Sequence, residues 1–307
     1  MENDKIIEQV LMASIKEQRH ARRWKVGFRL FWIAIIGIVL FVFTNKNNDI
    51  KSGKSVGVVN LNGAISSENN TYETISKGLQ DAFKDKNTIA VILRANSPGG
   101  SPVYSDMLYN EIIRLKKKYP NKPINVVTEE VCASGCYYIA SAANKIYASP
   151  ASIVGSIGVI YTGFGLTNMM QKIGVDSRLL ISGKNKAMGY PFITSDKTQT
   201  LMQQEMLDIV HNQFIKAVKD ARGAKLKSSN LDLFSGRYWV GEQALTLGLI
   251  DGYYTVDTLS KIEYKTTNIV DFTPENSSMD KIAKKFGVTM FKSIKHSVVS
   301  DWVGIVE

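Results

Sequence analysis

Thr88-Ile89-Ala90-Val91-Ile92-Leu93-Arg94-Ala95-Asn96-Ser97-Pro98-Gly99-Gly100-Ser101-Pro102 is the stretch on which the fold turns. Residues 88–94 are mostly apolar and partly β-branched, which reads as a strand buried on both faces. Ser101 is placed to cap a helix with Pro102 at its first position, and the pattern through residue 118 directs Val103, Met107, Ile112 and Leu115 inward. Two glycines between strand and helix let the backbone approach a neighbour closely and present an N–H with no side chain in the way.

The same alternation continues to either side. Residues 56–61, 124–128 and 145–148 read as strands, 72–83 and 134–143 as helices, and 153–161 as a β-branched, glycine-containing run. Such repetition predicts an α/β domain with a largely parallel sheet. Another strand is expected at 177–181. Ser195 or Asp196 then caps a long helix to about Arg222, with Met202, Met206, Ile209, Phe214 and Val218 near one face and Gly223 as its stop. From Tyr264 the composition shifts to Thr, Asn, Ser and Lys, and a Lys-rich amphipathic stretch at 279–299 is expected as a terminal helix. The domain is therefore placed at 56–263, with a C-terminal extension at 264–307.

The 307 residues are 44% apolar and carry a net charge of +10, enough core-forming material to exclude a disordered chain or a small disulfide-stapled domain. The basic excess is dilute and accompanies no reading motif, so nucleic acid is not expected as a partner. Residues 26–44 hold Arg29 as their single charge, and 30–43 form an unbroken apolar run. With Arg29 snorkelling to the headgroups, this length just spans a hydrocarbon core of about 30 Å. Lys16, Arg19, Arg22, Arg23 and Lys25 precede it, and Lys46 alone follows closely. The expected arrangement is a cytoplasmic segment at 1–25, one transmembrane helix at 26–44, a polar linker at 45–55 and an extracytoplasmic, periplasmic domain on the inner membrane. A cleaved leader would need a small-residue exit that Phe41-Val42-Phe43-Thr44-Asn45 lacks.

Elimination narrows the chemistry. His20, His211 and His296 are the three histidines, and none stands beside a turn glycine or a plausible nucleophile. No metal-ligand spacing and no phosphate loop are present, so neither a metal nor a cofactor is expected. Cys132 and Cys136 are expected as two small buried thiols, because their spacing at a strand-to-helix junction is poor for a bridge. Between them stands Ser134, in Val131-Cys132-Ala133-Ser134-Gly135-Cys136. It suits an N-cap, and it equally suits a nucleophile whose developing charge faces free helix N–H groups. The Gly135 N–H, with those of Gly99 or Gly100, would serve an oxyanion. The remaining base is a lysine of Ser182-Gly183-Lys184-Asn185-Lys186. A free lysine, with pKa about 10.4, must be desolvated before it accepts a proton at neutral pH.

Four segments together resemble signal peptide peptidase A, the membrane-anchored Ser/Lys serine peptidases of Clp/crotonase-like fold. They are Asn96-Ser97-Pro98-Gly99-Gly100-Ser101, Ala133-Ser134-Gly135, Gly155-Ser156-Ile157-Gly158-Val159, and Gly236-Arg237-Tyr238-Trp239-Val240-Gly241-Glu242-Gln243-Ala244 with Gly248-Leu249-Ile250-Asp251-Gly252. The resemblance implies a repeated β-β-α superhelix. It also implies Ser134 as nucleophile, Lys186 as general base, Ser156 orienting that lysine, and Gly99, Gly100 and Gly135 around the oxyanion. In this chain Ala187 follows Lys186 where the family has an acid, and Lys184 stands two residues before it. The chain holds one such unit, which in short family members implies a homo-oligomeric ring, such as an octamer, with serine and lysine from different subunits. Hydrophobic leader peptides are the implied substrates and the lipid bilayer the implied surface. Competing readings are a protease that processes intact regulatory or stomatin-like proteins, a non-catalytic peptide-binding scaffold, and a crotonase-type acyl-CoA enzyme.

Overall fold

The computed structural model describes residues 22–37, 53–227 and 231–274, in two compact units divided after Ser52. In the first unit, helix α1 occupies residues 22–37 and leaves Trp24, Phe28, Phe31 and Trp32 exposed. Among the described residues no helix is long and apolar enough to cross a membrane. Residues 38–44 of the expected span, most of the linker, residues 1–21 and the amphipathic stretch at 279–299 lie outside the described residues.

The second unit opens with β1 (Ser55–Asn62), α2 (Thr71–Lys84), β2 (Thr88–Ser97), α3 (Pro102–Lys118), β3 (Ile124–Ala133) and α4 (Gly135–Ser141). β4 (Lys145–Tyr147), β5 (Ile153–Gly155), α5 (Thr167–Lys172) and α6 (Lys197–Arg222) follow. β6 (Tyr238–Val240), α7 (Gly241–Leu247), α8 (Val256–Ile262) and β7 (Ile269–Asp271) complete it. The strands form one seven-stranded sheet in the order β6-β5-β3-β2-β1-β7, with β4 also on β3. Pairing is parallel except between β5 and β6.

Consecutive residues of the central strands are buried on opposite faces, as a doubly covered parallel sheet requires. Val59, Leu61, Leu93 and Val126 join Leu79 and Phe83 of α2, Leu108 and Ile112 of α3 and Ile139 of α4 in the larger core. Val56, Val58, Ile92 and Val127 meet Val256 and Leu259 of α8 on the other face. Each such side chain contributes about 1.5–3 kcal/mol on leaving water.

Three expectations are corrected. The buried face of α3 is Ser105, Leu108, Glu111, Ile112 and Leu115, while Val103 is 65% exposed and Met107 37%. Glu111 sits inward because Arg114 and Gln80 both donate to its carboxylate, at 2.7 and 2.8 Å, so a polar residue occupies a position that patterning assigns to solvent. Residues 177–181 form no strand, and Leu180 there is 97% exposed. The run at 153–161 is a strand only through Gly155, because φ is +96° at Gly155 and +51° at Ser156 and the chain leaves the sheet. The sheet also gains β7, from residues grouped by composition with the C-terminal extension; it pairs with β1 from Val56↔Ile269 to Val58↔Asp271.

The long helix starts as its signals predict. The Asp196 carboxylate accepts the Gln199 N–H at 2.9 Å, and Gly223 at φ +50° ends it. Phe214 and Val218 are buried, whereas Met202, Met206 and Ile209, earlier on the same face, are exposed.

Candidate active site

β3 decides where Ser134 stands. Its first half pairs with β4 through Val127↔Tyr147, and its last three residues pair with β5 through Ala133↔Gly155. The strand therefore runs beyond β4 and delivers Ser134 beside Gly155, whose carbonyl accepts the Ser134 N–H at 2.8 Å. The Ser134 carbonyl in turn accepts the Tyr138 N–H at 3.0 Å, the first bond of α4. Ser134 holds φ +52° and ψ −125°, a conformation that costs a non-glycine residue about 1–3 kcal/mol. Although it occupies the N-cap position, its side chain caps nothing, so the hydroxyl is left for another use. The residue is half-buried.

The strand β2 ends beside it. Ile65 braces the glycine turn from the far side, donating its N–H to Gly99 O at 2.9 Å and accepting the Ser101 N–H at 2.8 Å. Gly99 at φ +100° and Gly100 at φ +150° both need the freedom of glycine. The Gly99 N–H donates to Ser97 Oγ at 3.2 Å. Among the described residues no acceptor takes the N–H of Gly100 or of Gly135. These two amides lie close, since a Cβ built on Gly135 would be 3.3 Å from the Gly100 nitrogen. Of the three glycines named from sequence, Gly100 and Gly135 thus carry the free donors, and Gly99 shapes the turn.

Cys132 and Cys136 form a disulfide, which corrects the expectation of two thiols. The physical reason is the turn between them. The positive φ at Ser134 reverses the chain and brings the two Cα atoms to 5.1 Å, within bridging range.

Ser156 follows Gly155 directly, and its N–H donates to Arg237 O at 2.9 Å. β6 thereby supports β5 from its outer edge, and the Gly236-to-Ala244 segment buttresses the site rather than lining it. His211 Nε2 lies 3.0 Å from the Ile157 carbonyl, fixing the segment that leaves β5. Sequence reasoning set His211 aside; a separation of 54 positions hid the contact. Behind these elements, buried Arg222 meets Asp251 at 2.7 Å and donates twice to Gly248 O, tying the end of α6 to the Gly248-to-Gly252 turn.

Lys186 lies apart. It occupies an exposed turn in which its N–H donates to Gly183 O at 3.0 Å, and Lys184 is exposed as well. Among the described residues no hydrogen bond joins Lys186 to Ser134 or Ser156. The structure brings together Ser134, Gly135, Gly99, Gly100 and Ser156, and leaves both lysines on the exposed segment between β5 and α6. Among the described residues no cluster of His, Cys, Asp and Glu could hold a metal ion.

Residues 116–269, half of the chain, match peptidase family S49. The chain belongs to peptidase family S49. The S49 match includes residues 134, 156 and 186 and begins after Gly99 and Gly100. One relative is a Brucella melitensis protein named Na(+)/H(+) antiporter NhaA, 42% identical over 204 residues, which are 64% of this chain and 27% of that protein. The chain thus spans about a quarter of that relative's length. A protein of Enterococcus faecium, named as a candidate signal peptide peptidase SppA, is 29% identical over 233 residues, covering 72% of this chain and 66% of its own. A solved structure of a membrane-bound stomatin-specific protease mutant with a substrate peptide aligns at TM-score 0.48 and 19% identity, over 76% of this chain and 98% of that one. Ser134, with its strained backbone, falls inside the residues that match the family.

Proposed function

We propose that this chain is a membrane-anchored serine endopeptidase that cuts hydrophobic leader peptides with a Ser134/Lys186 dyad on a Clp/crotonase-like fold. The observation that carries the reading is Ser134 itself. Its backbone is strained, its hydroxyl caps nothing, and two free amides, from Gly100 and Gly135, stand beside it. Ser134 Oγ attacks the scissile carbonyl, Lys186 takes its proton and returns it to the leaving amine, and water releases the acyl group. The two amides receive the tetrahedral oxyanion, a contribution of about 3–4 kcal/mol per donor in sites of this kind. Ser156, one residue past the Gly155 carbonyl that binds Ser134, would orient the lysine.

A base must shed its proton, and an exposed lysine has water to hold it. The reading therefore requires a second copy of the chain to cover Lys186 and bring it to Ser134. Ile160, Phe164 and Leu180 on the same exposed segment, with Met202, Met206 and Ile209 of α6, supply an uncovered apolar surface for that copy. A bond between Cys132 and Cys136 suits an oxidising compartment, in keeping with a catalytic domain outside the cytoplasm and a span at 26–44. The leader-peptide substrate rests on the four motifs and on the name of the Enterococcus relative. The test is labelling of the detergent-solubilised chain with a fluorophosphonate. Attachment at Ser134, and its loss in Ser134→Ala, is expected; an unlabelled wild type rejects the peptidase.

A further inference from the structure

The nucleophile turn is enclosed by a covalent ring. Cys132 is the next-to-last residue of β3 and Cys136 lies in the first turn of α4, and their disulfide spans Ser134 symmetrically, each cysteine two positions away. Both cysteines are fully buried in the main core, beside Tyr137, Ile139 and Val154. We propose that this disulfide is a positioning device for Ser134, holding the turn in its reactive form, so that the enzyme works at full rate only when the bond is intact. The proposal rests on the serine-peptidase reading above.

Three observations carry it. First, Ser134 is one of four non-glycine residues with positive φ among the described residues, and its ψ of −125° lies far from the left-handed helical basin that tolerates such residues best. A strained residue persists only where its surroundings over-determine it. Second, the backbone hydrogen bonds at this residue are two, to Gly155 O and from Tyr138 N, and both begin or end on the neighbouring elements, while the Gly99 backbone packs against the turn without bonding it. The disulfide is the link that closes the turn from strand to helix. Third, a bridge between residues four apart closes so short a loop that chain entropy rewards it least. The core around it is already filled by large side chains. Its consequence is therefore local geometry more than global stability, and the geometry it fixes is that of Ser134 and the Gly135 amide.

Loss of the bond is a balanced two-electron step. A dithiol reductant attacks one sulfur, the S–S bond breaks, Cys132 and Cys136 leave as thiols, and the reductant becomes a cyclic disulfide. The relaxed turn lets Ser134 rotate toward ordinary φ, moving its hydroxyl away from the two free amides.

The experiment uses the full chain in detergent. Fluorophosphonate labelling of Ser134 and turnover of a hydrophobic peptide are measured for the wild type, for Cys132→Ala/Cys136→Ala, and for wild type reduced with dithiothreitol and checked with a maleimide. The expected result is a fall in labelling rate and kcat by roughly tenfold to a hundredfold, with KM, circular dichroism and complex size retained, and recovery when the reduced wild type is reoxidised. Free thiols in the untreated wild type, or an unchanged labelling rate after demonstrated loss of the bond, would overturn the proposal and leave the peptidase standing. Loss of the folded signal in both the variant and the reduced protein would make the bond a staple of the whole domain, and would overturn it too. An oxidised wild type that never labels rejects the peptidase reading and this proposal with it.

Discussion

Gly99 packs its backbone directly on that of Gly135: a Cβ at residue 99 would lie 2.8 Å from the Gly135 nitrogen and 2.7 Å from the Ala133 carbonyl oxygen. Both are main-chain atoms that cannot swing aside, and φ at residue 99 is +100°. Gly99→Ala should therefore shift the turn that carries Ser134 and Gly135. The expected outcome is a loss of about 100-fold or more in peptide turnover, the scale of removing one oxyanion donor, with the sheet still folded by circular dichroism. Turnover near the wild-type level would show that the glycine turn plays no part in the reaction.

If the dyad is shared between copies, two inactive variants should repair each other. Ser134→Ala and Lys186→Ala are each expected to abolish cleavage. Co-assembled in equal amounts, a random ring would pair an intact Ser134 with an intact Lys186 at about one interface in four, and recover about a quarter of the activity. Unfolding both variants in one tube and refolding them together supplies the mixture. No recovery, with mixed complexes verified by mass, would place the base elsewhere.

Leu180 and Phe164 stand 97% and 84% exposed, large apolar side chains with nothing over them. Charging them tests what covers them. Leu180→Glu and Phe164→Glu should each split the assembly toward monomer by light scattering, and lower activity in proportion, while leaving the melting temperature of the single chain within about 2 °C. An intact complex in both would remove this segment from the interface.

Stability should depend on Asp251. Burial by itself would raise its carboxyl, but hydrogen bonds from Arg222, Lys225 and the Ile146 N–H outweigh burial and hold it below its ordinary 3.8. Because the folded value is depressed, the stabilisation is fully present above pH 3.8 and is lost as pH falls through the lower folded value. Asp251→Ala strands Arg222, which is 3% exposed, and should cost about 3–5 kcal/mol in urea unfolding at neutral pH. The acid-side loss should flatten in the variant. An unchanged urea midpoint would mean that Arg222 finds another partner.

Sequence made the sheet legible where apolar runs were bracketed by glycine, proline or a capping residue. The β2-to-α3 passage, the Asp196 cap and the Gly223 stop are cases in which a local signal and the final structure agree. It failed where tertiary partners overrode local pattern. Glu111 turned inward because Arg114 and Gln80 await it, and residues 177–181 had the composition of a strand but no neighbour to pair with. β7 is three residues long, and its partner β1 lies some 210 residues earlier, beyond any window of periodicity. At the site, Ser134 and its glycines were readable as a strand–turn–helix signature. Which glycine N–H stays free was not, because that depended on Ser97 Oγ taking the one from Gly99. The disulfide was missed for a related reason: spacing alone predicts a poor bridge, and only the reversed backbone at Ser134 makes it a good one.

The pair of amides at Gly100 and Gly135 means that half of this apparatus has no side chain to lose. Point changes that swap one side-chain functional group for another cannot delete it; added bulk, a proline or an altered loop length can. Drift in such a site would be policed less by chemistry than by bulk, and a decayed copy would betray itself first through alanines where hydrogen atoms now stand.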